Sequence, residues 1–423
     1  MRAEIISVGD ELLRGQRVNT NAVVIARMLS AIGVSVSHIV ACSDDEADII
    51  ATCSAALGRA EVVLVTGGLG PTRDDRTKHA IQQLLGRGTV LDEASYRRIE
   101  ERMVARGSAV TPLLREQAVV VEGSHVIINS RGTAAGMLLD CGEPFAHHHL
   151  ILMPGVPVEM EAMMHEGVIP FLTSLSNSVI CQTPLKIVGV GETAIAAMLV
   201  EIEDAMPPAT TLAYLPHTAG VDLMVSSRGN SREAVEAEHQ QVVDAIMERV
   251  GTLVYATRDI SLEEVIGEML LRQTFTVAVA ESCTGGLLAS RFTDISGDSN
   301  YFLLGFVVYS NEAKERALGV PHETLVAHGA VSEEVAQAMA LGCLEKSGAD
   351  FALATTGIAG PTGGTPEKPL GTLCYAIAVK GGEVVVCRKV VMQGTREQRK
   401  VRFSTAVLRE FWMLLKEREA SEE

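Results

Sequence analysis

Three times in this chain a short apolar run stops at a cluster of glycine and small hydroxyl residues. Glu61–Thr66 runs into Gly67-Gly68-Leu69-Gly70-Pro71-Thr72, and Phe275–Ala280 into Glu281-Ser282-Cys283-Thr284-Gly285-Gly286. Phe351–Thr356 runs into Gly357-Ile358-Ala359-Gly360-Pro361-Thr362-Gly363-Gly364. Short apolar runs bounded this way read as buried strands, and helical periodicity follows the first two clusters. Strands alternating with helices imply a parallel sheet covered by helices on both faces, because a parallel neighbour is reached only through a crossover. The expected class is α/β.

Length allows about three domains at ~150 residues each, and the chain of 423 residues divides by rhythm. In 1–170 the pattern predicts strands at Ala3–Val8, Val34–Ala41 and Glu61–Thr66, with helices at Asn21–Ile32, from a Ser43-Asp44-Asp45-Glu46 capping box through Leu57, and through Leu85. This is a doubly wound, three-layer arrangement. In 171–256 a strand at Leu185–Val190, a helix at Thr193–Ala205, a hairpin of Thr211–Leu215 with Val221–Ser226 and a long helix Ser231–Val250 make a small α+β module. In 257–423 a Ser261 capping box opens an α/β sandwich. Its strands are expected at Phe275–Ala280, Tyr301–Ser310, Phe351–Thr356, Leu373–Val379 and Glu383–Val391, with a helix over Val331–Glu345. Thr395 and Gln398 box the start of the last helix, and Glu417–Glu423 is expected to fray.

Composition narrows the function classes. A net charge of -17 and only 4% aromatic residues argue against a nonspecific grip on nucleic acid or on an anionic membrane. No run of 18 apolar residues occurs, so neither a secretion signal nor a membrane span is expected, and the reading is a cytoplasmic protein. The eight cysteines form no C-x-x-C pair and are expected as reduced thiols; His147-His148-His149 reads as a solvated turn.

A helix start offers unpaired amides and a partial positive charge, which suits phosphate or a developing oxyanion. At the first junction Asp10-Glu11 closes a strand, Asn19 and Asn21 open a helix, Asp44 follows the second strand, and Asp74-Asp75 lies just past Gly67, Gly68, Gly70 and Thr72. In a parallel sheet all of these collect at the carboxyl edge. Carboxylates beside a phosphate-cradling loop require a divalent cation between them and a diphosphate, so Asp10, Glu11, Asp44, Asp74 and Asp75 are candidate ligands for Mg²⁺ or Mn²⁺. Asp44 serves equally well as a helix cap.

At the second junction Ser282 sits on a strand-to-helix turn with the amides of Thr284, Gly285 and Gly286 close by, as a nucleophile needs. Cys283 is a rival nucleophile. Thr355, Thr356 and Gly357 end the third strand and are placed to meet an amide or a ribose. Tyr309 either relays a proton or orients Lys314, or is a core residue with a polar tip. Arg396, Arg399 and Arg402, near the start of the last helix, are candidates for holding a phosphate.

Ser7-Val8-Gly9-Asp10-Glu11-Leu12-Leu13-Arg14-Gly15, Asn19-Thr20-Asn21 and the Thr66–Asp75 loop resemble the N-terminal half of the competence/damage-inducible CinA proteins. That half has a molybdopterin-binding-like fold, and the resemblance implies metal-dependent hydrolysis of ADP-ribose to AMP and ribose 5-phosphate. The middle segment resembles the KH-like insert of the same family. It lacks the G-x-x-G loop that clamps nucleic-acid backbone and carries four basic against ten acidic residues over 180–256, so a spacer or homodimer-forming role is expected instead.

Ala280–Gly286, Val308-Tyr309-Ser310-Asn311-Glu312-Ala313-Lys314, His328-Gly329-Ala330-Val331-Ser332 and Thr356–Pro361 resemble nicotinamide-nucleotide deamidase. The resemblance implies hydrolysis of the carboxamide of nicotinamide mononucleotide, with Lys314 as the base for Ser282. The family's G-D-R-x-x-V-R run is longer here, Gly394–Arg402, and Val401-Arg402 favours Arg402 as the phosphate ligand. The alternative function is a non-catalytic nucleotide- or molybdopterin-binding protein linked to competence or DNA damage.

Overall fold

The computed structural model describes residues 1–72, 75–105, 107–108, 111–175 and 179–422; Asp74 of the proposed cation set lies outside them. Tertiary contacts divide the chain into two units, Met1–Ile180 with Arg228–Val235, and Cys181–Ser227 with Glu236–Glu423.

The first unit is built on a six-stranded sheet, with a separate antiparallel pair β4 (Thr89–Leu91) and β5 (Val119–Val121). Its members are β1 (Arg2–Val8), β2 (Ser35–Cys42), β3 (Val62–Thr66), β6 (His125–Ile127), β7 (Gly136–Asp140) and β8 (His149–Met153), in the order β2-β1-β3-β8-β7-β6. Alternation along the strands splits the core. Ile6, Val8, Val63 and Val65 pack on one face, and Ala3, Ile5, Val62 and Leu64 on the other, all buried. The helices Thr20–Ala31, Glu46–Leu57 and Thr77–Leu85 follow β1, β2 and β3 as the pattern predicts.

Two expectations need correction. Four strands run parallel, but β7 is antiparallel to β8 and β6 antiparallel to β7. Only residues 141–148 join β7 to β8, too few for the dozen or so that a crossover needs. The cap of the Glu46–Leu57 helix is Asp45, whose side chain accepts from the amides of Ala47 and Asp48, while Ser43 instead donates to the Asp48 carboxylate.

The second unit carries two sheets. β9 (Val179–Val188), the hairpin of β10 (Thr210–His217) and β11 (Gly220–Gly229), and β12 (Val254–Ala256) form the order β10-β11-β9-β12, covered by the Glu192–Asp204 and Arg232–Val250 helices. β13 (Val277–Glu281), β14 (Phe302–Val307), β15 (Phe351–Gly357), β16 (Thr372–Val379) and β17 (Glu383–Val391) form the order β14-β13-β15-β16-β17. One face of this sheet is lined by Ala278, Ala280, Ala352, Ala354, Ala376 and Ala378, small enough for the Glu333–Ser347 helix to lie close. The other face carries Val279, Leu353, Tyr375 and Ile377 under Phe403, Phe411 and Trp412 of the last helix.

That helix runs from Arg396 through Glu422, where Arg272 pairs with Glu419 at 2.8 Å and Arg418 lies over the Phe351 ring; Glu423 lies outside the described residues. Its start carries the expected reciprocal box, with the Thr395 amide donating to Gln398 and the Gln398 amide to Thr395. Among the described residues no helix is long and apolar enough to cross a membrane.

In both large sheets the chain leaves a central strand toward one neighbour and returns to the other side. β1 lies between β2 and β3, and β13 between β14 and β15. The carboxyl ends of such strands form the crevice where open α/β sheets bind ligands.

Candidate functional site

Strand β13 ends in a buried acid. Glu281 is fully buried, and its carboxylate accepts from the amides of Gly286 at 3.0 Å, Leu288 at 2.9 Å and Ala289 at 2.8 Å. The carboxylate thus takes up the unpaired donors at the start of the Leu287–Thr293 helix, which has no side-chain cap of its own. Ser282 is the next residue. Its amide is held by the Thr355 carbonyl, and Gly285, at φ +61, donates back to the Ser282 carbonyl, which fixes the turn. The amides of Cys283 and Thr284 donate to no backbone carbonyl among the described residues.

Lys314 comes from the Asn311–Leu318 helix after β14, capped by Ser310. Although charged in water, it has no exposed surface. Its Nζ lies 3.1 Å from Ser282 Oγ, 2.9 Å from the Val308 carbonyl and 3.2 Å from the Tyr309 carbonyl. Burial lowers its pKa from the usual lysine range, against a smaller opposing effect of Cys283. A neutral amine has two N–H groups and one lone pair. As an ammonium, Nζ donates to Ser282 Oγ and to both carbonyls; once neutral, donation to the two carbonyls uses both N–H groups and turns the lone pair to the serine hydroxyl, as a general base requires.

Ser282, Tyr309, Lys314, Thr356, Gly357 and Arg396 line one cavity of about 170 Å³, joined by Cys283, Ala330, Val331 and Ala359. Thr356 donates to the Ala330 carbonyl at 2.6 Å. At the mouth Arg396 donates to the Gly360 carbonyl and, at 3.3 Å, to the exposed Tyr309 hydroxyl. The Tyr309 phenol therefore stands beside Arg396, and it is the backbone carbonyl of Tyr309 that meets the lysine.

The remaining candidates lie elsewhere. Thr355 is fully buried behind the cavity, 2.8 Å from the Thr284 hydroxyl, so both brace the turn. Gly285 and Gly286 shape the helix start outside the cavity lining. Arg399 holds the carbonyls of Met392 and Ala359. Arg402, favoured by sequence as the phosphate ligand, does not reach this cavity: it donates to the carbonyls of Thr218 and Gln393 and lines a different one. Cys283 is buried, and burial pushes its thiol up to about 12, which removes it as a nucleophile at neutral pH. Sequence reasoning gave Glu281 no role. Its only signal was a carboxylate in the last position of an otherwise apolar run.

The first unit's crevice lies where β1 and β3 end. Gly67, at φ +108, passes so close to β1 that a Cβ would sit 2.4 Å from the Val8 carbonyl. Thr77 holds the Gly67 carbonyl, and the amides of Gly68, Leu69 and Gly70 donate to no acceptor among the described residues. Asn19 caps the Thr20–Ala31 helix and exchanges hydrogen bonds with Ser7, while Asn21 holds Thr66 and the Gly155 carbonyl.

Four of the carboxylates proposed for a cation lie among the described residues. Asp10 pairs with Arg14, Asp44 accepts from the Asp10 amide, the Glu11 carboxylate folds over Gly9, and Asp75 accepts from both the amide and hydroxyl of Thr72. Asp74 lies outside the described residues, and among the described residues no three such side chains gather as a metal site. Thr72, Asp75, Arg76 and His79 instead line a cavity of about 630 Å³. His147 is exposed, and His149 starts β8 with its ring 2.7 Å from Asp140.

Comparison with known proteins matches three families along the chain. Residues 4–174 match the probable molybdopterin binding domain, 182–256 the damage-inducible protein CinA KH domain, and 259–415 the CinA C-terminal domain. A CinA-like protein of Chlorobium chlorochromatii is 97% identical over 423 residues, covering 100% of both chains. A CinA-like protein of Chlorobaculum tepidum is 56% identical over 422 residues, covering 99% of this chain and 100% of that one. A crystal structure of the competence damage-inducible protein A from Klebsiella pneumoniae is 33% identical over 37% of this chain and 95% of its own, with a TM-score of 0.36.

Proposed function

The chain belongs to the CinA family, and on that footing we propose that its Ser282 site hydrolyses the carboxamide of nicotinamide mononucleotide to nicotinate mononucleotide and ammonia. The observation that carries this reading is the fully buried Lys314 amine 3.1 Å from the Ser282 hydroxyl. Burial of a lysine without a carboxylate beside it costs stability and favours the neutral form of the amine, and a serine beside a neutral amine is an activated nucleophile.

Lys314 takes the Ser282 proton as Oγ bonds to the carboxamide carbon, and the carbonyl electrons move onto oxygen. The amides of Cys283 and Thr284 receive that oxyanion. The Lys314 ammonium then gives its proton to the amide nitrogen, the C–N bond breaks, and ammonia leaves an ester on Ser282. Water, deprotonated by Lys314, cleaves the ester and returns the proton to Ser282. Arg396 at the mouth, with the Tyr309 hydroxyl, is placed for the phosphate of the nucleotide.

The test is ammonia release from nicotinamide mononucleotide by the full chain. Ser282→Ala is expected to lower kcat at least ~10³-fold, as loss of a nucleophile does, while Cys283→Ala stays within a few-fold of the parent. Retained turnover in Ser282→Ala, or its loss in Cys283→Ala alone, refutes the assignment.

A second reading concerns the first unit, where three amides at Gly68–Gly70, without a backbone acceptor among the described residues, stand at a sheet switch point beside a cavity. They support binding of a phosphate-bearing ligand, with ADP-ribose as the substrate that the family resemblance implies. AMP formation from ADP-ribose with added Mg²⁺ or Mn²⁺, abolished by EDTA, is the supporting result. Binding without AMP formation under any cation favours the non-catalytic nucleotide- or pterin-binding alternative.

A further inference from the structure

The second unit holds a cavity of about 600 Å³ that shares no residue with the one around Ser282. Its walls come from the Gly189–Gly191 turn and the 217–220 hairpin turn on one side, and from β17 and the last helix on the other. In a chain of net charge -17 its lining contains three arginines, Arg388, Arg402 and Arg409, against one carboxylate, Glu410.

Each guanidinium keeps donors for a ligand. Arg388 makes one bond, to the carbonyl of its neighbour Cys387. Arg402 spends Nε and one terminal nitrogen on the Thr218 and Gln393 carbonyls, which fixes its plane and leaves the other terminal nitrogen. Arg409 gives one nitrogen to Glu410 at 3.2 Å. Gly189, at φ +79, makes room for Arg409: a Cβ there would lie 2.6 Å from its Cδ. His217, the other basic residue of the lining, faces Asp222 at 3.4 Å.

A second observation points the same way. Gly191 lines the cavity and is the N-cap of the 13-residue Glu192–Asp204 helix, which has no side-chain cap. That helix start adds partial positive charge to the guanidiniums, despite Glu192 in its first turn. Val390, Met392 and Ala406 give the lining an apolar part, beside the polar Thr218, Gln393 and Thr405. Volume, an apolar wall and a few converging polar groups are what a small organic ligand requires.

We propose that this cavity binds a nucleoside monophosphate: the phosphate meets Arg388, Arg402 and Arg409, and the base lies on Val390, Met392 and Ala406. The site is independent of the deamidation chemistry, and none of these residues belongs to the Ser282 machinery.

Calorimetric titration of the full chain with AMP, and separately with inorganic phosphate, tests it. The parent is expected to bind AMP, more weakly as salt rises. Arg388→Ala with Arg409→Ala is expected to weaken this binding at least ~10-fold, since each lost charge-assisted contact costs about that much. Ala406→Trp, which fills the cavity without touching charge, is expected to do the same, and it guards against a misfolded double variant. Both variants are expected to release ammonia from nicotinamide mononucleotide at the parent rate when AMP is absent. An AMP isotherm unchanged in both variants, or no AMP binding to the parent at millimolar concentration, overturns the proposal. Phosphate binding as tight as AMP overturns the base contact.

Discussion

Glu281→Gln tests how the Ser282 turn is held, because the substitution preserves shape and changes only the donor–acceptor pattern. The carboxylate serves three amides, Gly286 and Leu288 through one oxygen and Ala289 through the other. An amide side chain keeps one acceptor. In its better orientation the remaining oxygen faces Gly286 and Leu288, and the NH₂ group faces the Ala289 amide, donor against donor. One buried N–H left unpaired costs ~1–3 kcal/mol, and two bonds reduced from charge-assisted to neutral lose ~1 kcal/mol each. The sum is about 3–5 kcal/mol, a large share of the ~5–15 kcal/mol that holds a domain together. At ~2–4 °C per kcal/mol for a domain of this size, the melting midpoint is expected to fall by ~6–20 °C. Ammonia release, measured well below that midpoint, is expected to fall at least ~10-fold in kcat, because the Cys283 and Thr284 amides sit on the turn that Glu281 braces. A Glu281→Gln protein that melts with the parent and turns over at the parent rate would refute the bracing role.

Lys314 makes two linked predictions. Its folded pKa lies below the ordinary lysine value, so kcat/KM is expected to rise with pH through that lowered pKa and then level off, and a pH-rate profile checks this. Between the folded and unfolded values the unfolded chain binds the extra proton. Stability attributable to this residue therefore rises with pH across that window, and its penalty is full below the folded pKa. Lys314→Met is expected to abolish turnover yet unfold at higher urea than the parent at neutral pH, with the gap closing as pH rises; equal midpoints at every pH would remove the case for a neutral, buried amine. Arg396→Ala is expected to raise KM for nicotinamide mononucleotide at least ~10-fold with a smaller effect on kcat, as loss of a phosphate contact does; an unchanged KM would place the phosphate elsewhere.

Sequence exposed the strand ends, because glycine and small hydroxyl residues after an apolar run have few other uses, and the sheet positions follow from that. Position around a helix was readable too, yet went unused for the arginines. Residues six apart, such as Arg396 and Arg402, point about 120° apart at 100° per residue. One therefore turns toward the Ser282 cavity while the other faces the β10–β11 turn. The reversal at β7 was likewise legible in the eight-residue connection before β8. Burial of Lys314 was not, since it depends on where the helix after β14 lands, and no local pattern records the Val308 and Tyr309 carbonyls converging on one amine. Glu281 was hidden for the same reason. A carboxylate at a strand end reads as solvated until the three amides around it are located.

The two switch-point crevices are built alike and differ in what reaches them. Both offer amides beside a glycine turn that have no backbone acceptor among the described residues, so both are suited to receive negative charge. Around Ser282 the sheet also delivers a buried base from a separate element, and the local carboxylate, Glu281, points away into the helix start. Around Gly67 the described carboxylates stay at the surface of the crevice, each bound to its own neighbourhood: Asp10 to Arg14, Asp75 to Thr72. An anion entering there meets amides and acids together, so its affinity depends on what neutralises the acids, whereas the Ser282 crevice needs no such help. That difference supports the proposed amide hydrolysis at the second crevice, and makes any phosphate chemistry in the first depend on an added positive charge.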